Sequence, residues 1–389
     1  MPVKSWTLVN SANGNIMDRL KISPQDLGLA EGDWRANCRV LEGGLSDGVQ
    51  VVTLHSGRLA VNVLPTRGMG IHKAWLDGEE FGWKSPVRGP VHPKFVDVGE
   101  PSGLGWLDGF DELLCRCGLV SNGAPEFDAK TNRLAYPVHG RIANRPAHQV
   151  ELSVDTDKGV LTLRGVVEET RFHFTKLRMT TTVTLPLGGS TCHIHDEVEN
   201  FSAGPAEMQM LYHVNFGLPL LDAGSQVVVP AKTVVPRNER AASGIKTWDS
   251  YAAPEPNWEE MVYFLDLHGD DAGRTRTLLK NAHGTRGASL VYNTKELPHF
   301  SLWKNTTAEA DGYVTGLEPG TNYPNPRSYE GKQGRVVKLG PAEKYSMSVG
   351  LEFHATAAEV DAAEEDVNKL RDGCEPKVFD KPQEGWCSP

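Results

Sequence analysis

Four runs of alternating polar and apolar residues between positions 148 and 200 constrain the fold more than anything else in the chain. Gln149–Val154, Val160–Arg164, Leu177–Leu185 and Cys192–Val198 place apolar side chains at most alternate positions, Thr181 and Asp196 being the exceptions, with turn residues between the runs. Period two sends one face of a strand into a core and the other toward water. Consecutive runs of this kind predict a large antiparallel sandwich. The same reading makes Val51–His55 and Leu59–Leu64 a hairpin across Ser56-Gly57, continued by Ile71–Trp75. Met208–Gly217 alternates again, and Arg335–Leu339 and Tyr345–Phe353 add two late strands. Only Ala357–Leu370, rich in Ala and Glu, carries a substantial helical period near the end of the chain. No linker or internal repeat divides the sequence. The expectation is a single all-β domain over 1–389, with a weakly defined lead-in at 1–45 and an extended tail at 372–389.

Charge and cysteine usage narrow the function. Fifty acidic against 40 basic residues give a formal charge of −10, and no basic tract offsets it. That argues against a nucleic-acid partner held through phosphates. No apolar run reaches the roughly 18 residues that a membrane helix needs, and the first residues lack a signal-peptide pattern, so a cytoplasmic protein without a membrane partner is expected. The six cysteines are scattered, and Cys115-Arg-Cys117 is not a CxxC, which disfavours a zinc or thioredoxin-type site. They read as reduced and buried, with Cys374 and Cys387 in the tail the pair most apt to differ.

Polar islands set among the strands are the candidate site. Tyr313–Leu317 reads as a strand that runs into a Pro319 turn, leaving Glu318 at its end, with His299–Lys304 as partner strand and Trp303 facing the same pocket. In Met208–Gly217 alternation puts Tyr212 on one face and His213 with Asn215 on the other. Arg67 lies in the turn after Leu64, either solvated or aimed into a cleft. The stretch from Gly78 to Gly105 reads as a long irregular loop leading to Trp106 and Phe110. These two could stack on a sugar ring while Asp108 or Asp111 bonds its hydroxyls, or could simply be core. His139 and Arg141, two apart, would share a face in an extended segment. His193 and His195 also share a face, but lack a third local ligand and read as exposed strand histidines.

The ordered islands resemble the aldose 1-epimerase (galactose mutarotase-like) superfamily, and more closely a bacterial aldose-epimerase-like branch. The matching pieces are Leu64–Ile71, Gly105–Phe110, Cys117–Leu119, Val138–Asn144, Leu211–Gly217 and Gly316–Pro319. The resemblance implies a β-supersandwich of large antiparallel sheets, with few short helices and a carbohydrate cleft. It implies His213 as general acid to the ring oxygen, Glu318 as base at the anomeric hydroxyl and His139 as a substrate-binding residue. Arg67 is the nearest match to the family's sugar-binding arginine and Arg141 its rival. Trp106, Asp108, Asn215 and Trp303 complete the expected binding set. A carboxylate and an imidazole on opposite sides of the ring would open and close a hemiacetal without a cofactor.

Arg141 stands where mutarotases have a second glycine, and the Trp-Leu-Asp-Gly-Phe and Cys-Gly-Leu islands are absent from them. The first expectation is therefore mutarotase-type epimerisation of a free sugar or, given two arginines, a sugar acid. The alternative is an isomerase, hydratase or lyase that abstracts a proton beside the carbonyl of a keto-sugar. A divalent metal for it would be drawn from His72, His139, His213 and Glu318, although no ligand-spacing motif supports one. A sugar-binding module without catalysis is the third.

Overall fold

A computed structural model of the protein describes residues 3–29 and 32–389. Among these, the strands form two large sheets. The smaller has ten strands in the order Gln226–Val228, Arg274–Lys280, Gly287–Asn293, Lys344–His354, Thr191–Asn200, Lys176–Pro186, Val160–Thr170, Gln149–Asp155, Lys4–Asn10 and Asn15–Ile16, each antiparallel to its neighbours. Lys176–Pro186 shows the expected alternation most clearly: Leu177, Met179, Thr181, Val183 and Leu185 are buried, and the residues between them are half-exposed. The fold is the expected all-β arrangement.

The larger sheet holds the site. Its central strands lie side by side in the order Met261–Leu267, His299–Asn305, Val314–Gly320, Ala206–Phe216, Leu114–Leu119 and Gly70–Leu76. Residues on one face of Ala206–Phe216, namely Met210, Tyr212, Val214 and Phe216, enter the core between the sheets. A buried polar cluster crosses that core. Arg116 Nε and Nη2 donate to the two oxygens of Asp196 at 2.6 and 3.1 Å, and Tyr212 Oη and Thr181 Oγ1 donate to the same carboxylate. Every oxygen of this buried acid is thereby engaged, which is what makes its burial tolerable.

Two expectations need correction. The lead-in is not weakly defined: Lys4–Asn10 pairs with Gln149–Asp155, and Arg19–Ile22 and Arg35–Val40 extend the larger sheet. The tail is docked, with Lys377–Val378 pairing parallel to Ala231–Pro236 and Trp386 and Cys387 packing beside Tyr323. The cysteines are free as expected, and of the tail pair Cys374 is exposed while Cys387 is buried.

The helix forms over Ala357–Arg371. Thr356 caps it by accepting from Glu359 N, and Glu359 reciprocates at the Thr356 backbone. Its apolar stripe of Val360, Ala363 and Val367 covers Val228 and Leu278. Among the described residues no helix is long and apolar enough to cross a membrane.

Candidate active site

The face of Ala206–Phe216 that turns away from the inter-sheet core carries Leu211, His213 and Asn215. The register that pairs Val214 with Leu317 and Asn215 with Gly316 brings His213 across from Glu318. Glu318 is not at a strand end. It lies within Val314–Gly320, opposite Ser301, and Pro319 continues the strand rather than turning it. All seven residues of that strand are buried, so no alternation marked its true length. On its other side Trp303 pairs with Gly316. A side chain at 316 would collide with the site: a Cβ there would lie 2.5 Å from Glu318 Oε1, 3.1 Å from His213 Cε1 and 3.2 Å from Trp303 Cε3.

His213 Nε2 and Glu318 Oε1 are 3.2 Å apart, in contact and not on opposite sides of a ligand-sized gap. Asn215 Oδ1 lies 2.6 Å from His213 Nδ1, while Asn215 Nδ2 donates to the carbonyls of Glu112 and His213. With its amide nitrogen occupied by acceptors, Asn215 presents only an acceptor to the ring. Nδ1 therefore carries the proton and Nε2 faces Glu318. Asn215, expected to touch substrate, instead orients the imidazole. Burial pushes the Glu318 carboxyl up to about 8, against the opposing field of His139. Burial, reinforced by His139, pulls His213 well below its ordinary value. Both shifts favour a single proton shared between Nε2 and Oε1.

His139 completes the polar floor, with its ring 5.3 Å from that of His213 and edge-on to it. Its Nδ1 lies 3.0 Å from the Asn122 carbonyl. Burial alone would lower its pKa, but the Cys117 thiol beside it raises it to about 9. Cys117 in turn, though burial opposes ionisation, is brought to about 6 by Cys115 and His139, while Cys115 is pushed far up. The two shifts run in opposite directions and favour ionisation at the thiol beside the imidazole. Trp106, Phe110 and Trp303 wall a cavity of about 290 Å³ above these groups. Arg237 and Glu260 also line it, and Trp303 Nε1 donates to Glu260 at 2.7 Å.

The remaining expected residues lie elsewhere. Arg67 is a correction: it is 1 % exposed, and its guanidinium is spent on Glu112 (2.5 Å), Asn144 Oδ1 and the carbonyls of Val91 and Gly109. It braces loops, with four of its five N–H donors engaged, and does not line the cavity. Asp108 is exposed on a short 3₁₀ turn and does not line the cavity.

Arg141 does not share a face with His139. His139 (φ 56°) and Gly140 (φ 72°) are both left-handed, and this reversal sends Arg141 into a different hollow. Gly140 is fixed there because a Cβ would lie 2.1 Å from the Ser121 carbonyl oxygen. His193 and His195 are exposed strand residues, as expected. His72 pairs with Asp111 at 3.2 Å, and among the described residues no cluster of three or more His, Cys, Asp or Glu is placed to hold a metal. Arg237, Glu260 and the role of Cys117 had no local signal, since strand pairing alone brings them to the site.

Comparison with known proteins bears on the family and the fold. Residues 46–353 match the family described as domain of unknown function DUF4432, a span covering most of the chain. The chain belongs to the DUF4432 family. This family member superposes on the crystal structure of a Klebsiella pneumoniae subsp. pneumoniae MGH 78578 protein provisionally described as an aldose 1-epimerase. The TM-score is 0.94 and the identity 33 %, over 98 % of this chain and 99 % of that one. A galactose mutarotase-like protein from Clostridium acetobutylicum (TM-score 0.57, 14 % identity) and galactose 1-epimerase from Lactobacillus acidophilus NCFM (0.55, 16 %) share the fold. Each match covers 83 % of the DUF4432 chain and 99 % of the other. No curated protein matches the chain. The DUF4432 chain thus has the galactose mutarotase-like fold, with neighbours of the aldose 1-epimerase and mutarotase type.

Proposed function

We propose that the protein is an epimerase of the mutarotase type, acting on a free monosaccharide through His213 and Glu318. The observation that carries this reading is the His213–Glu318 pair, 3.2 Å apart on the floor of an aromatic-walled cavity. Hemiacetal opening takes the proton from the anomeric hydroxyl, breaks the bond from C1 to the ring oxygen and protonates that oxygen. With the shared proton on His213, Glu318 accepts the hydroxyl proton while Nε2–H delivers its own to the ring oxygen. The anomeric and ring oxygens are neighbours on one carbon, so an acid and a base in contact suit them. After rotation about the first C–C bond the transfers reverse and close the other anomer, and the pair's proton count is unchanged. Such acid–base steps contribute about 10²–10⁴-fold each.

Substrate class follows from the walls. A cavity of about 290 Å³ lies at the small end of ligand sites and suits one sugar ring. Trp106, Phe110 and Trp303 offer apolar faces for the C–H side of such a ring. The indole N–H of Trp106 is buried without an acceptor, leaving a donor for a hydroxyl. The case for a sugar acid rested on Arg67 and Arg141, and Arg237 is the arginine that lines this cavity.

The test is anomer interconversion over a panel of aldoses and uronic acids, followed by polarimetry with and without a chelator. Acceleration that is abolished in both Glu318→Gln and His213→Asn, and unaffected by the chelator, is the expected result. No acceleration over the whole panel would refute the reading and favour proton abstraction beside a keto-sugar carbonyl, or binding alone.

A further inference from the structure

The reversal at His139–Gly140 divides one short segment between two cavities. Val138 and His139 line the cavity above Glu318, whereas Tyr136, Pro137 and Arg141 line a second hollow of about 600 Å³ with no lining residue in common. Arg145, just beyond the 3₁₀ turn Ile142–Asn144, lines that hollow too, and Arg171 contributes a third guanidinium that lies over the Phe174 ring at 4.8 Å.

The charge state of this hollow is unusual for the molecule. The chain is acidic, at −10, and most of its other half-buried and buried arginines have carboxylate partners, among them Arg67 with Glu112, Arg116 with Asp196, Arg178 with Glu168, Arg276 with Glu352, Arg327 with Glu207 and Arg335 with Glu330; Arg371 instead donates to the Val229 carbonyl. Arg141 and Arg145 are half-buried, yet neither guanidinium hydrogen-bonds or ion-pairs to any described residue. The one acid among the lining residues is Glu169. Its carboxylate is turned inward, accepting the Leu119 backbone N–H at 2.7 Å, and is 6 % exposed. Glu169 feels the field of Arg145 and Arg141 without hydrogen-bonding to either, so one carboxylate at longer range offsets the lost hydration of two half-buried cations only in part.

We propose that the Arg141–Arg145 hollow is a second ligand site, for a small molecule bearing a phosphate or carboxylate oxyanion. Guanidinium groups grip such anions bidentately, with geometry that lysine cannot reproduce. The Tyr136, Ser121 and Thr175 hydroxyls stand in the same lining to receive the rest of the molecule, and Phe174 supplies an apolar wall. The site is independent of the sugar chemistry proposed above.

Calorimetric titration of the full chain at low ionic strength tests it, with pyrophosphate and citrate as probes for the two oxyanion sources. Saturable binding of one or both is expected. Arg141→Met should weaken it about tenfold or more, as loss of a charge-assisted hydrogen bond implies. Arg141→Met/Arg145→Met should abolish it, and Glu318→Gln should leave it unchanged. The doubly substituted Arg141→Lys/Arg145→Lys protein keeps both charges and the fold, and should bind measurably more weakly than wild type. No saturable binding of either probe, or binding that survives in the doubly substituted proteins undiminished, would overturn the proposal.

Discussion

Gly316→Ala separates catalysis from stability. The added Cβ would stand 2.5 Å from Glu318 Oε1, where ordinary contact begins near 3.4 Å, so the carboxylate must retreat by almost an ångström. His213 Cε1 and Trp303 Cε3, at 3.1 and 3.2 Å, must yield by a few tenths. The retreating atom is the tip of a flexible side chain, so the cost to stability should sit at the low end of overpacking, about 1 kcal/mol. Catalysis has no such slack, because the retreat breaks the 3.2 Å contact with Nε2. A misplacement of about 1 Å is worth roughly 10²-fold in rate. Purified Gly316→Ala should therefore melt within a few degrees of wild type and interconvert anomers about a hundredfold more slowly. Turnover within a few-fold of wild type, in a variant that remains folded, would refute the claim that the His213–Glu318 contact is catalytic.

Other outcomes follow from the same geometry. Since the folded Glu318 pKa of about 8 exceeds the ordinary 4.5, stability is full below about pH 4.5 and is lost progressively as pH rises through 8. Glu318→Gln should remove that decline, of order a few kcal/mol, in denaturant titrations run across the range. Cys117→Ala takes away the thiolate that holds His139 near 9, and burial then dominates; NMR titration of the His139 ring should show its pKa fall, and an unchanged value would contradict the pairing. Arg67→Met leaves Glu112 buried without its partner and should cost about 3–5 kcal/mol in urea unfolding. A normally stable Arg67→Met protein with only a raised KM would instead restore Arg67 to the substrate.

Period-two patterning made most of the sandwich readable, because strands such as those between positions 148 and 200 bury alternate residues and turn the others toward water. Lys176–Pro186 is legible for that reason. Val314–Gly320 is buried on both faces, so its Gly-Leu-Glu-Pro-Gly composition imitated a turn and hid that Glu318 is central. Alternation correctly put His213 and Asn215 together and Tyr212 opposite, but it could not reveal that Asn215 serves the imidazole. The split of His139 from Arg141 depends on two successive left-handed residues, a backbone feature that spacing in an assumed extended segment misses. Arg67 misled because a polar residue in a turn after a strand reads as accessible, whereas loops distant in sequence close over it. Arg237 and Glu260 reach the cavity mouth only through the pairing of distant strands.

The central claim is that His213 and Glu318 act as one proton-sharing unit. A double-mutant cycle on anomer exchange, measured by NMR exchange spectroscopy with wild type, His213→Asn, Glu318→Gln and the doubly substituted protein, tests it most directly. Groups that work as a unit are non-additive. The account predicts that either single substitution removes nearly all the acceleration and that combining them costs little more. Losses that simply add, or a single variant that retains most of the wild-type rate, would contradict it.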